Sequence, residues 1–318
     1  MKNKFHIIFI LTALSLGFSS CEKIIDFNGE ITEPYLVMVS QPQADSTWTV
    51  RVTQSRFFLN TDPIPHIDNA KVYMKVNGVD ANGIGIHTGD GIYTTSIRPQ
   101  PGDSLTMRIA VPDKGEMTAG CRIPLRPIVS DVSLVFDTTI NHYYWEDYDG
   151  NTHWETEIYG TIHAKFKLHD PAGEHNYYMI RMASDHGDGW QYHYIYIDDD
   201  ILFDINATDE VFDLGTDDGS EGDRVLFSDE HIDGATHPMN ISFTFSSVAY
   251  SYNQPDIIPF RIEVYAVSRD LYLYLKSIRA ARNQDGFTQI ISEPVQIHTN
   301  INGGIGILGG SSCTTLSF

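Results

Sequence analysis

The sequence predicts an all-β protein of two antiparallel, sandwich-like (Ig-like) domains, with one α-helix late in the second. Three observations carry this. Apolar and polar residues alternate with period two in many short runs. Turn signals break these runs at close intervals. A single stretch near the C-terminus shows helical spacing instead.

Before the first strand comes an export signal. Lys2 and Lys4 open the chain, Phe5–Phe18 is an apolar run, and Ser19 and Ser20 lead directly into Cys21. The run is too short for a permanent membrane helix and reads as a signal peptide over residues 1–20. A cysteine after small residues suits a lipoprotein signal peptidase, because the thiol takes diacylglycerol before cleavage. Cys21 is therefore the expected lipidation site, residues 21–33 the tether, and the mature protein is anchored to the membrane without crossing it. Phe18 stands where leucine is commoner.

The first sandwich is expected over residues 34–125. Trp48, Val50 and Val52 alternate with Thr49, Arg51 and Thr53; Ala70, Val72, Met74 and Val76 follow the same rule, as do Leu105, Met107, Ile109 and Val111. Asn77-Gly78 suits a primed hairpin turn. Asp62-Pro63, Gly89-Asp90-Gly91 and Pro101-Gly102 are further turn signals, and no helical pattern intervenes.

Pro124 and Pro127 mark the passage into a second β-rich domain, residues 126–318. Its strands are expected at Ile162–Leu168, Tyr177–Ala183, Tyr192–Ile197, Ile241–Phe245 and Phe260–Val267, with Asp170-Pro171 as a break. The stretch from Asp198 to Gly234 reads as a long acidic loop. Ser268 is a good N-cap for a helix over residues 269–283, where Leu271, Tyr274, Leu275, Ile278 and Ala281 recur at helical spacing.

Charge excludes one class of function. The net charge is −21, and removing Lys2 and Lys4 with the signal takes it to −23. Such a surface repels nucleic acid and anionic headgroups, while its carboxylates offer oxygen ligands to calcium. Asp217, Asp218 and Asp223 are the calcium candidates within the acidic loop, although Gly219 and Ser228 fail the carboxylate positions of an EF-hand. No other cofactor is expected. Cys121 and Cys313 could pair, since disulfides persist outside the cytoplasm.

Reactive motifs are missing: there is no G-x-S-x-G elbow, no H-E-x-x-H helix and no P-loop. A ligand platform is the alternative. Trp190 precedes Tyr192, Tyr194 and Tyr196, which would share one face of a strand and could stack on a glycan or meet a peptide. Tyr143, Tyr144, Trp145 and Trp154 fall in what reads as another polar loop region.

Four features together resemble a known family. They are Cys21-Glu22-Lys23, the strand ending at Ile123-Pro124, the segment Phe227-Ser228-Asp229-Glu230 with Asp233-Gly234, and the tail Asn300-Ile301-Asn302-Gly303-Gly304-Ile305-Gly306. The chain resembles the Bacteroidetes outer-membrane lipoproteins grouped as domain of unknown function 4249. The tail departs from that pattern at Ile307-Leu308, where an aromatic is usual. The resemblance implies a lipid-anchored outer-membrane protein at the cell surface, non-enzymatic, and accessory to a TonB-dependent (SusC-type) receptor in ligand capture or gating. It brings no catalytic residues. A structural or adhesive surface protein and a hydrolase with an unrecognised site are the other readings left open. The tail glycines have their own physical reading: positive φ and close backbone approach in a tightly packed terminal strand.

Overall fold

Short runs that bury one face and wet the other close as packed sheets, and this is what a computed structural model shows. It describes residues 33–57, 60–185, 187, 189–197, 202, 224–249, 258–282 and 295–318. The first strands are β1 (Leu36–Ser40), β2 (Thr49–Gln54), β3 (Lys71–Val76), β4 (Val79–Ile84), β5 (Ile86–Gly89), β6 (Ile92–Thr94), β7 (Ser104–Val111) and β8 (Gly115–Arg122). Then come β9 (Ile128–Glu146), β10 (Thr152–His169), β11 (Tyr177–Asp185), β12 (Trp190–Tyr192), β13 (Tyr196–Ile197), β14 (Arg224–Ser228), β15 (Thr236–Ala249) and β16 (Phe260–Val267). A helix, here α1 (Arg269–Arg282), precedes the tail strands β17 (Ile305–Leu308) and β18 (Ser311–Ser317).

The expected all-β fold with one late helix is what forms. Sheets β17-β1-β2-β6-β5 and β4-β3-β7-β8 face each other in the N-terminal sandwich. Met38, Val50, Val52 and Tyr93 from one meet Val72, Met74, Leu105, Met107 and Ile109 from the other in a single buried cluster. Each such side chain contributes about 1.5–3 kcal/mol of burial. Buried polar ends are satisfied: Trp48 Nε1 donates to Ser40 Oγ at 3.0 Å, and Tyr93 Oη donates to the Ile67 carbonyl at 2.8 Å.

The C-terminal sandwich packs β13-β15-β10-β9 against the sheet β12-β11-β16-β18, in which β14 also pairs with β11. Ile158, Ile162, Phe166 and Leu168 of β10 and Phe243 of β15 bury against Ile180, Met182, Ile262 and Val264. The far face of the second sheet is covered by α1, whose Leu271, Tyr272 and Leu275 share a cluster with Met179, Leu226, Tyr265 and Cys313. Ser268 caps the helix as its side chain suggests, accepting from the Leu271 N–H at 3.4 Å.

The tail serves both sandwiches. Strand β17 pairs in parallel with β1, and β18 pairs antiparallel with β16. Gly303 and Gly306 have φ of +80° and +118°, and a Cβ at either would run into a neighbouring backbone carbonyl. This is the close approach expected of the tail glycines. Pro34–Phe318 form one compact unit.

Strands lie in two regions where loops were expected. Arg224–Ser228 pairs with β11, so the stretch read as an acidic loop ends in a strand with Arg224, Val225, Leu226 and Phe227 all buried. Tyr143, Tyr144, Trp145 and Trp154 lie on the long β9–β10 hairpin, paired in continuous register from Thr152↔Glu146 to Lys165↔Ser133. Their polar neighbours hid a strand that is wet on both faces.

Candidate functional site

Three chain segments converge on one cleft. The run Cys121–Ile128 leaves β8, His169–Tyr178 joins β10 to β11, and Ala266–Asp270 ends β16 and begins α1; together they enclose about 600 Å³. The two prolines of the first run and Asp170-Pro171 of the second hold these connections out of the ladders, which leaves the space open. Leu125 and Ile128 expose most of their surface there, at 64% and 66%. Arg122, Arg126 and Arg269 supply positive charge, and Asp170, Glu174 and Asp270 supply negative charge. Arg126 pairs with Asp45 and donates from Nη1 to the Cys313 carbonyl at 3.1 Å. Asp270, in the first turn of α1 where the helix dipole favours a carboxylate, meets His298 Nε2 at 2.8 Å. A cleft with apolar walls and opposite charges suits a ligand that is itself apolar in the middle and charged at both signs.

Three carboxylates meet beside the cleft. Oxygens of Asp170, Asp229 and Asp233 lie within 4.8 Å of one another, with Asp170 and Asp229 buried. Tyr178 Oη donates to Asp170 Oδ1 at 2.5 Å and the Gly234 N–H to Oδ2 at 3.0 Å; the Asn176 N–H donates to Asp229 Oδ2 at 2.7 Å. Burial pushes the Asp170 carboxyl above the usual carboxylate range against these two bonds, and the charges of Asp229 and Asp233 add to the rise. Hard divalent cations take oxygen ligands in such spacing. Sequence reasoning named all three residues, as a turn signal and as family motif, without bringing them together. The signal available was a pair of Asp-bearing turns, one between β10 and β11 and one between β14 and β15.

The aromatic residues expected to form one platform are divided. Trp190–Tyr192 pairs with β11 in one sheet and Tyr196–Ile197 with β15 in the other, so the chain crosses the sandwich between them. A single strand over Tyr192–Ile197 is therefore not formed. Arg261 lies over the Trp190 ring at 4.0 Å and Arg181 over Tyr192 at 3.4 Å, while Tyr194 and Tyr196 pair with each other at 4.8 Å. Cys121 and Cys313 are both free, one packed against the N-terminal cluster and one beneath α1, so the disulfide expected as an option is not formed. Cys21, Asp217, Asp218 and Asp223 lie outside the described residues.

Two serine–histidine contacts bear on the hydrolase reading. Ser184 Oγ lies 2.5 Å from His193 Nε2, but Ser184 is only 1% exposed, so no substrate reaches its oxygen. Ser130 Oγ lies 2.7 Å from His169 Nε2, and Nδ1 of that ring faces the Thr236 hydroxyl where a triad would place a carboxylate. Among the described residues no helix is long and apolar enough to cross a membrane.

The family described as Domain of unknown function (DUF4249) matches residues 22–317, and the chain belongs to it. No curated protein matches significantly. Among solved structures, a protein of Corynebacterium diphtheriae described as membrane anchored is 16% identical, with 73% of this chain and 54% of that one covered and a TM-score of 0.19. This chain thus spans about half the length of that protein. A structure of carbohydrate-binding modules from the β-sandwich superfamily is 10% identical, with 69% and 96% covered and a TM-score of 0.19. The partial N-terminal region of an enterococcal surface protein is 9% identical, with 76% and 93% covered and a TM-score of 0.14. These three likenesses carry no functional argument.

Proposed function

We propose that this member of the DUF4249 family is a non-enzymatic, lipid-anchored protein of the outer membrane, facing outward and working beside a TonB-dependent, SusC-type transporter. Its role is to capture a ligand for the transporter or to cover the transporter's mouth. The observation that carries the reading is the cleft of about 600 Å³, with Leu125 and Ile128 exposed between arginines and carboxylates. That chemistry suits a short peptide better than a neutral glycan. The basic start, apolar run and Ser19-Ser20-Cys21 sequence support the anchor, and the family resemblance supports the transporter.

A structural or adhesive role is favoured by one observation, the long hairpin whose aromatic rings face solvent on both sides. Anchoring and exposure are tested by fractionating cells that make the wild type or Cys21→Ser. The wild type is expected in outer membranes and digested when intact cells meet proteinase K, while Cys21→Ser is released from the membrane. Retention of Cys21→Ser in the membrane, or resistance of the wild type in intact cells, would count against the proposal.

A further inference from the structure

Strand β9 forms one edge of its sheet, and among the described residues no strand pairs with its outer side. The register with β10 is constant from Glu146 to Ser133, and the Asp147 N–H donates inward to the Asn151 carbonyl at 3.0 Å. Backbone direction alternates along an antiparallel strand, so odd-numbered residues bond to β10. The N–H and C=O groups of Leu134, Phe136, Thr138, Ile140 and Tyr144 therefore point away from the sheet. Among the described residues no strand pairs with them. From Leu134 to Tyr144 this edge runs roughly 34 Å.

Folded proteins usually block such an edge with lysine, proline, a bulge or a covering segment. Among the described residues the only such device is at the base, where Asp131 has φ +52° at an irregularity in the pairing and binds Lys167. Between Ser133 and Glu146 there is no proline, lysine, arginine or residue with positive φ. The two faces beside the edge differ. Phe136, Ile140 and Tyr144 continue the core-side face and are 40%, 41% and 68% exposed. The opposite face carries Asp137, with Glu155 and Glu157 one strand further in, and no lysine or arginine occurs from Pro127 to Ala164.

We infer that the outer edge of β9 receives an added strand from a partner protein, an extended segment alternating apolar residues with lysine or arginine. Its backbone completes the ladder, its apolar side chains continue the face of Phe136 and Ile140, and its cations meet Asp137, Glu157 and Glu155. A second copy of this chain is the poorer occupant, because two β9 strands bring together carboxylates with no cation between them. The inference rests on backbone geometry and does not depend on the transporter reading.

The test uses the mature full-length protein in mild detergent and a capped nonapeptide alternating valine and lysine. Hydrogen exchange should slow on peptide binding within residues 133–146 and nowhere else. Thr138→Pro removes an outward N–H and should weaken binding about tenfold, roughly the effect of one lost hydrogen bond. Thr138→Lys, which keeps every backbone group, should weaken it as well. The valine–glutamate peptide should bind at least about tenfold more weakly than the valine–lysine one. No protection in 133–146, equal binding of the two peptides, or wild-type affinity in both variants would overturn the inference. Protection of that segment without peptide, in a protein that sediments as a dimer, would overturn it in favour of self-pairing.

Discussion

Ser268 and Gly310 are tied together twice: the Ser268 N–H donates to the Gly310 carbonyl at 2.8 Å, and the Gly310 N–H donates to Ser268 Oγ at 3.1 Å. The same Oγ accepts from the Leu271 N–H and so caps α1. Gly309 and Gly310 carry the chain from β17 in one sandwich to β18 in the other. A Cβ at Gly309 would press on Leu271, and one at Gly310 on Ile123 and the Arg122 carbonyl. Helix start, tail and the connection between the two sandwiches are thus fastened at one point, next to the cleft.

Ser268→Ala removes the cap and the anchor of the Gly310 N–H together. It should destabilise the protein by about 1–2 kcal/mol. Urea unfolding, read by circular dichroism, checks this; an unchanged midpoint would mean that the hydroxyl carries neither role.

Gly306→Ala places a side chain at φ +118° and against the backbone of Met38. A loss of about 3 kcal/mol or more is expected. Gly78→Ala is the comparison, since φ there is +79° but nothing lies within 4 Å of the new Cβ. It should cost only about 1 kcal/mol of conformational strain. Equal losses in the two variants would remove the argument from close approach.

Asp170 sets a pH dependence with a definite sign. Burial raises its folded-state pKa above the unfolded value, helped by Asp229 and Asp233. The stabilising contribution of its protonated form is then fully present below the unfolded pKa of about 3.9 and is lost as pH rises through the raised folded value. Asp170→Asn stays neutral and keeps an oxygen for the Gly234 N–H. In EDTA buffer it should melt above wild type at pH 7, with the difference vanishing toward pH 4. A gap that widens as pH falls would reverse the assignment.

The two thiols should be inert in the folded protein. Burial pushes Cys121 up to about 12, with Asp270 adding to the rise, and burial pushes Cys313 up to about 11. Maleimide labelling of the Cys21→Ser protein at pH 7.5 should run roughly 100-fold or more slower than in denaturant. The same raised values imply that stability falls as pH climbs above the unfolded thiol pKa of about 8.5 toward 11–12. Fast labelling of either cysteine under native conditions would contradict this burial.

Period-two alternation was enough to expose the fold class and the N-terminal strands, because Trp48–Val52 and Leu105–Val111 bury one face and wet the other. Ser268 and the spacing after it located the start of the helix at residue 269. What stayed hidden depends on distance along the chain. Asp170 meets Asp229 and Asp233 only because β10, β11 and β15 pack together, and no local pattern encodes that meeting. The β9–β10 hairpin escaped notice because its outer half has no core to pattern it. Tyr192–Ile197 alternates like one strand yet supplies two sheets, since alternation cannot say which sheet a residue pairs with. The candidate cleft was legible only in its punctuation, Pro124, Pro127 and Asp170-Pro171.

The proposed partnership with a transporter is tested most directly by purifying the full-length protein from cell membranes in mild detergent, with mass spectrometry of what accompanies it. A TonB-dependent receptor in near-equal amount is the expected result. Recovery of the protein alone would contradict the accessory role and leave adhesion or independent ligand binding in its place.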